Sequence, residues 1–319
     1  MKVLLTGALG NVGTSTLKEL LKKGYNVRIL DVNTPQNRKK VKKIKNKAEI
    51  YWGNLLNIAD ISEAVKGCDT IIHLAAMIPP QADKKPQLAE YINVGGTENV
   101  IKAVHKYNKQ AQLIFTSSIA VYGDRLHSPL IRTTDQPCPN SHDYYAIQKL
   151  ECERIVKASG LNWTIFRLTY IVSLDRIKLD PLMFDMPLET SIEICDTKDA
   201  GLALANAVGN RDILGKILPI AGGARCRIQY REYLNKMLEI IGIGRNFLPE
   251  KAFSKGNFHC GFMETEESQQ YLKYQNHTIS DYFRDVYRKF RIKRFFISLI
   301  KPLLQRFLML KSPYIGNSP

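Results

Sequence analysis

The chain has 319 residues, long enough for one large α/β unit or a large domain with an appended lobe. Its 45% hydrophobic and 24% charged content is that of an ordinary globular protein, which excludes disordered and collagen-like chains. The net charge of +16 gathers in two runs without an acid, Arg38, Lys39, Lys40, Lys42, Lys43, Lys45 and Lys47, then Arg288, Lys289, Arg291, Lys293, Arg294, Lys301, Arg306 and Lys311; with no recognition motif beside it, this charge does not make a nucleic-acid binder.

In chain order, Lys2 to Thr6 is a short apolar strand, followed by a glycine-rich turn and a helical pattern from Val12 to Lys23. Strands are expected at Asn26 to Leu30, Ala48 to Trp52, Thr70 to Leu74, Gln112 to Thr116 and Asn162 to Leu168. Helices are expected at Ile58 to Lys66, Gln87 to Tyr107 and Tyr144 to Ala158. Strands alternating with helices imply βαβ crossovers, so the expected fold is α/β, a Rossmann-type doubly wound parallel sheet. After Arg167 the alternation thins: Ser173 to Glu193 is irregular, Thr197 to Val208 helical, Gly215 to Ile220 strand-like and Gln229 to Ile241 helical. The expected division is 1–170 for the sheet domain, 171–280 for a smaller substrate lobe whose chain returns to the sheet, and 281–319 for a basic amphipathic tail.

The turn Thr6-Gly7-Ala8-Leu9-Gly10-Asn11-Val12-Gly13 lies between a strand and a helix. Its glycines allow a tight turn and close approach to a pyrophosphate, which the amides at the helix N-terminus then meet. Gly7, Gly10, Asn11, Val12 and Gly13 are the candidate contacts of a dinucleotide. Asp31 ends the second strand, where a carboxylate accepts hydrogen bonds from the ribose hydroxyls and repels a 2′-phosphate; NAD is therefore expected in preference to NADP. The basic run from Arg38 lies just beyond and reads chiefly as a solvated helix face. Tyr145 and Lys149 fall on one face of a helix at i, i+4. Bringing a tyrosine from about 10 to near 7 takes ~4 kcal/mol of preferential phenolate stabilisation, which Lys149 and an oxidised nicotinamide are suited to supply.

Taken with His73-Leu74-Ala75-Ala76, Asn93-Val94-Gly95-Gly96-Thr97, Ser117-Ser118-Ile119-Ala120-Val121-Tyr122-Gly123 and Tyr145 to Lys149, the order of motifs resembles that of extended short-chain dehydrogenases, the nucleotide-sugar epimerase/dehydratase family, over residues 1 to about 245. The resemblance implies that Tyr145 is the general acid/base, that Lys149 binds the nicotinamide ribose and lowers the Tyr145 pKa, and that Ser118 hydrogen-bonds the reacting oxygen. It implies cofactor contacts from Leu55, Leu74, Ala75 and Ala76, an adenine contact from Asn54 where the family usually has Asp, and a bracing role for Asn93 in the cofactor site. It also implies a homodimer formed through the helices near 87–107 and 144–158. For His73 and Tyr122, packing is the expected role.

Departures from the family pattern narrow the reaction. Dehydratases carry an acid pair directly after the active-site hydroxyl, and here those positions are Ile119 and Ala120, which move no proton. Epimerase and simple alcohol/ketone oxidoreductase both remain open, on a sugar, a sugar nucleotide or another secondary alcohol. Arg225, Arg227 and Arg231 are candidate anchors for an anionic substrate. A catalytically silent NAD-binding sensor or assembly protein at a membrane surface is the alternative function. The scattered cysteines show no metal-ligand spacing, so no metal is expected. No signal-peptide pattern opens the chain, so a cytoplasmic site with reduced thiols is expected. From Phe290 the tail alternates polar Arg294, Ser298, Lys301 and Gln305 with apolar Phe296, Ile300, Leu303, Leu304 and Phe307, bent near Pro302. It is too interrupted by charge to span a bilayer; peripheral contact with an anionic membrane and docking on the protein itself are both open.

Overall fold

The computed structural model describes residues 1–44, 46–177 and 179–315. Lys2–Thr6 (β1) buries Val3, Leu4 and Leu5 completely, and because helices cover both faces of its sheet the strand is continuously apolar and does not alternate. There follow Asn11–Lys22 (α1), Asn26–Asp31 (β2), Pro35–Val41 (α2), Glu49–Trp52 (β3), Ile58–Val65 (α3) and Thr70–His73 (β4). Then come Gln81–Lys84 (α4), Pro86–Glu90 (α5), Gly96–Tyr107 (α6), Gln112–Ser118 (β5), Leu130–Ile131 (β6), Tyr144–Ala158 (α7) and Asn162–Leu168 (β7). The remainder is Tyr170–Val172 (β8), Ser191–Asp196 (β9), Thr197–Ala207 (α8), Ile217–Ile220 (β10), Arg227–Gln229 (β11), Tyr230–Ile240 (α9), Phe262–Met263 (β12), Glu266–Leu272 (α10), Ile279–Phe290 (α11), Lys293–Leu299 (α12) and Lys301–Met309 (α13).

Seven strands form one parallel sheet in the order β10-β7-β5-β4-β1-β2-β3. The chain order reverses between β1 and β4, and in such sheets a crevice opens there, beyond the carboxyl ends of the strands. The return from the lobe to the sheet consists of α8 and β10, with β10 in parallel register on β7. Gly201 lets α8 settle on α1, since a Cβ there would lie 2.7 Å from the Ser15 carbonyl carbon.

Where one helix was expected from Gln87 to Tyr107, the structure has α5, a π-helical turn at Tyr91–Gly95 and α6. The physical reason lies in the polar groups. Thr97 Oγ1 donates to the Asn93 carbonyl at 2.6 Å and the Cys152 thiol approaches the same oxygen, so the regular ladder opens there and Asn93 turns inward.

The lobe has its own core, in which Tyr230, Leu234 and Leu238 of α9 pack with Phe184, Phe253, Val286 and Leu308. Glu193, fully buried, ties its pieces together by accepting from the Gly223 amide at 2.8 Å, the Met263 amide at 3.0 Å and Arg227 Nε at 2.9 Å. The tail divides differently from the expected single bent helix. A capping box at Thr278 and Asp281 starts α11, and the break falls at Ile300, with Pro302 in the first turn of α13, where its missing N–H costs nothing. Ile297, Leu304 and Leu308 dock on the lobe core, while Phe295, Phe296, Leu299, Leu303 and Phe307 stay exposed. All six cysteines are free.

Candidate active site

The glycine turn is closed by its own backbone. Gly7 has φ of +66°, and a Cβ at Gly13 would lie 2.2 Å from the Gly7 carbonyl oxygen, so neither position accepts a side chain. No side chain caps α1 at Gly10 and no acid occupies its first turn, which leaves its N-terminal amides for an anion. Gly7, Gly10, Asn11, Val12 and Gly13 all line one cleft, together with Asp31, Asn54, Leu55, Leu74, Ala75 and Ala76. A pyrophosphate-bearing dinucleotide fits this cradle.

Asp31 is half-buried and more occupied than its sequence position suggested. Its Oδ2 accepts from the Leu9 amide at 2.9 Å, and its Oδ1 accepts from the Val32 amide at 2.8 Å and Asn37 Nδ2 at 3.0 Å. Burial raises its pKa while these donors oppose the shift. The carboxylate therefore braces the glycine turn, and Oδ2, with a single donor, keeps a lone pair for a ribose hydroxyl. The neighbouring basic run is not simply a solvated face. Lys40 donates to the Leu9 carbonyl, and Lys40, Lys43 and Lys47 line the cleft, whereas Lys45 falls outside the described residues. Asn54 is exposed on the rim, with its Oδ1 accepting from the Leu56 amide at 3.0 Å.

Ser118, Tyr145 and Lys149 line the same cleft. Ser118 ends β5, and its Oγ accepts from the Ala120 amide at 3.2 Å, so the hydroxyl proton is left to donate. Asp143 caps α7 by accepting from the Ala146 amide at 2.9 Å, which fixes the turn that presents Tyr145. Lys149 is buried, donates to the Thr116 carbonyl at 2.8 Å and lies 4.7 Å from the Phe115 ring centre and 5.8 Å from that of Tyr145. Burial lowers the Lys149 pKa. In the protein alone, burial first, then the charges of Asp143 and Cys152, push the Tyr145 phenol above its ordinary value. The Lys149 ammonium is thus engaged by Thr116 on the side of the Tyr145 ring.

Asn93 stands behind the cleft wall and does not line it. It is buried, its Oδ1 accepts from the Met77 amide at 2.7 Å, and its Nδ2 donates to the Met77 carbonyl at 3.0 Å and to Gln148 Oε1 at 2.8 Å. It thus holds the strand-end loop against α7. His73 lies between Thr6 Oγ1 at 2.8 Å and Thr97 Oγ1 at 3.2 Å, and burial lowers its pKa to about 3, so it is a neutral core residue. Tyr122 Oη accepts from Arg167 at 2.6 Å, and Arg167 makes a two-point pair with buried Glu153. Ile119 and Ala120 are buried and apolar.

The arginines expected to hold an anionic substrate are placed elsewhere. Arg227 pairs with Glu193 and Arg231 with Glu189 and Glu250, and neither these nor Arg225 line the cleft. Sequence reasoning missed one pair that does: His259 Nδ1 lies 2.6 Å from Asp143 Oδ2, and both line the cleft beside Tyr145. The N-cap position of Asp143 just before a periodic helix was a usable signal; nothing local marks His259. Among the described residues no cluster of His, Cys, Asp or Glu is placed to hold a metal.

Comparison with known proteins adds to this geometry. The NAD dependent epimerase/dehydratase family model matches residues 3–180. The chain is 32% identical over 174 residues to a UDP-glucose 4-epimerase of Lactobacillus helveticus, covering 52% of this chain and 51% of that protein. It is 32% identical over 157 residues to an N-acetyl-α-D-glucosaminyl-diphospho-ditrans,octacis-undecaprenol 4-epimerase of Escherichia coli O157:H7, covering 49% and 42%. It therefore spans about half the length of the curated relatives it matches. The fold is like that of DesIV, a dTDP-glucose 4,6-dehydratase of Streptomyces venezuelae crystallised with NAD, at a TM-score of 0.78 and 21% identity, covering 93% of this chain and 98% of that one.

Proposed function

Since the chain belongs to the NAD-dependent epimerase/dehydratase family, we propose that it is an NAD-dependent enzyme that moves a hydride at a secondary alcohol or ketone of a sugar. The observation that carries this reading is that Ser118, Tyr145 and Lys149 line the same cleft as the uncapped N-terminus of α1. Gly7, Gly10, Asn11, Val12 and Gly13 bind the pyrophosphate, Asp31 the adenosine ribose, Asn54 and Leu55 the adenine, and Lys149 the second ribose. When bound, the nicotinamide accepts and returns the hydride. Ser118 donates to the reacting oxygen and fixes its position. Tyr145 takes the proton of the alcohol as the hydride leaves and returns it to the carbonyl in the reverse direction, with the Lys149 ammonium stabilising the phenolate form. Epimerase and oxidoreductase outcomes use these same groups, whereas elimination of water lacks an acid at Ile119 and Ala120. The test is to follow absorbance of the reduced cofactor with sugar nucleotides and lipid-linked sugars, in the wild type and in Tyr145→Phe; a variant as active as the wild type sinks the reading.

We further propose that the enzyme works as a homodimer, supported by exposed Leu88, Tyr91, Tyr144 and Ile147 on and beside the helices concerned, and that α12 and α13 rest on an anionic membrane. Supporting the second point, Phe295, Leu299, Leu303 and Phe307 are exposed beside Lys293, Arg294, Lys301 and Arg306. Among the described residues no helix is long and apolar enough to cross a membrane. Removing the tail would uncover the lobe core at Leu308, so point substitutions are the cleaner probe. Phe295→Ser with Leu303→Ser should leave in the supernatant a protein that otherwise sediments with phosphatidylglycerol vesicles at low salt; equal sedimentation of both overturns the membrane contact.

A further inference from the structure

The cleft does not end at Tyr145. It runs on along α9 to the tail, where its lining includes Met237, Ile241 and Ile243 together with Phe290, Ile297 and Ile300. The lining of this limb is apolar. A nucleotide diphosphate needs cations or free helix-end amides around its phosphates. Among the described residues lining the lobe side of the cleft, Arg176 is the only lysine or arginine, and Asp175, Asp180 and Asp185 line the same side. Carboxylates outnumber cations there, and Arg227 and Arg231 are already engaged by Glu193, Glu189 and Glu250. The lobe is thus poorly made for a diphosphate and well made for a hydrocarbon chain.

Ile300 links this limb to the outer face of the tail. It lines the cleft and is also 49% exposed, beside Leu299 at 66% and Leu303 at 72%. The apolar limb therefore opens on the face that carries the exposed Phe and Leu side chains and the flanking lysines and arginines. Resting on the hydride-transfer reading above, we propose that the substrate is a sugar carried on a lipid. The sugar lies before Tyr145, and the lipid chain lies between α9 and the tail, drawn from the anionic membrane on which α12 and α13 sit. No nucleotide is needed to hold it.

The test is calorimetric titration of the NAD-loaded full chain with methyl, octyl and decyl β-D-glucoside, each below its micelle-forming concentration, and with UDP-glucose. Each methylene moved from water into an apolar limb favours binding several-fold, so octyl glucoside should bind at least about tenfold more tightly than methyl glucoside, and decyl more tightly again. UDP-glucose should bind more weakly than octyl glucoside. Ile300→Gln and Met237→Gln should remove most of the gain with chain length while NAD affinity stays unchanged. Leu303→Ser, on the outer face and away from the cleft, should keep the gain. Affinity independent of chain length, tighter binding of UDP-glucose, or a gain lost in Leu303→Ser and kept in Ile300→Gln would each overturn the proposal. Every readout is binding, so failure here is distinct from failure of hydride transfer.

Discussion

The sheet side of the cleft is a backbone wall: Gly7 and Gly13 leave no room for a Cβ, and the amides of α1 point outward without a cap. The lobe side is a side-chain wall, in which α9 and the tail place aliphatic and aromatic groups, Asp175, Arg176, Asp180 and Asp185 also line the cleft, and other polar groups pair behind it, as at Glu193. A backbone wall recognises a part common to many reactions, the dinucleotide phosphates. A side-chain wall is free to vary with the substrate. This matches the reach of the family model, which ends at residue 180, before β9 and most of the lobe.

The strongest way to break this comparison is at the chemistry between the two walls. Tyr145→Phe should lower turnover on the order of a thousandfold, the range of a positioned acid/base, with NAD affinity within a few-fold of wild type. Lys149→Met should weaken both. Steady-state kinetics with calorimetry separates them, and a Tyr145→Phe enzyme that loses NAD binding instead would place the phenol in the cofactor wall.

Next in size is the buried pair that fastens β7 to α7. Arg167→Leu leaves Glu153 fully buried with no counter-charge and should cost about 3–5 kcal/mol in denaturant unfolding. If the lobe unfolds separately from the sheet, that loss should appear in one transition and not the other.

A pH titration compared between the wild type and His73→Gln probes the sheet half. His73 has a folded pKa of about 3, below the ordinary 6.5, so its neutral form contributes stability that is complete above pH 6.5 and lost as pH falls from 6.5 towards 3. The contribution is up to about 5 kcal/mol by linkage. Thermal unfolding from pH 7 to pH 4 should show this slope, and His73→Gln should flatten it.

A smaller effect sharpens the cofactor wall. Asp31→Ser removes the charge opposed to a 2′-phosphate while Lys40 and Lys43 remain at the cleft edge, and NADP affinity should rise roughly tenfold relative to NAD, near the energy of one charge-assisted hydrogen bond. The smallest effect lies on the exposed face of the tail, in contrast to its buried face. Phe295→Ser and Leu303→Ser should change unfolding free energy by less than about 0.5 kcal/mol, as exposed sites do. Leu308→Ala, buried in the lobe core, should cost about 2–5 kcal/mol.

By itself, the sequence determined the sheet, the glycine turn and the helix carrying Tyr145 and Lys149, because each depends on a local period or on the few backbone angles open to glycine. The π turn at Tyr91–Gly95 was not legible, since it follows from Thr97 and Cys152 meeting the Asn93 carbonyl across two helices. Nor was the engagement of Lys149 by Thr116, or the His259–Asp143 pair, whose members stand 116 positions apart along the chain and meet only when the 256–259 loop folds over α7. The tail shows the division most plainly. Its sequence specified an amphipathic basic helix, but which apolar residues dock and which stay bare depends on where the lobe core ends, and only tertiary packing decided that Leu308 is covered and Leu303 is not.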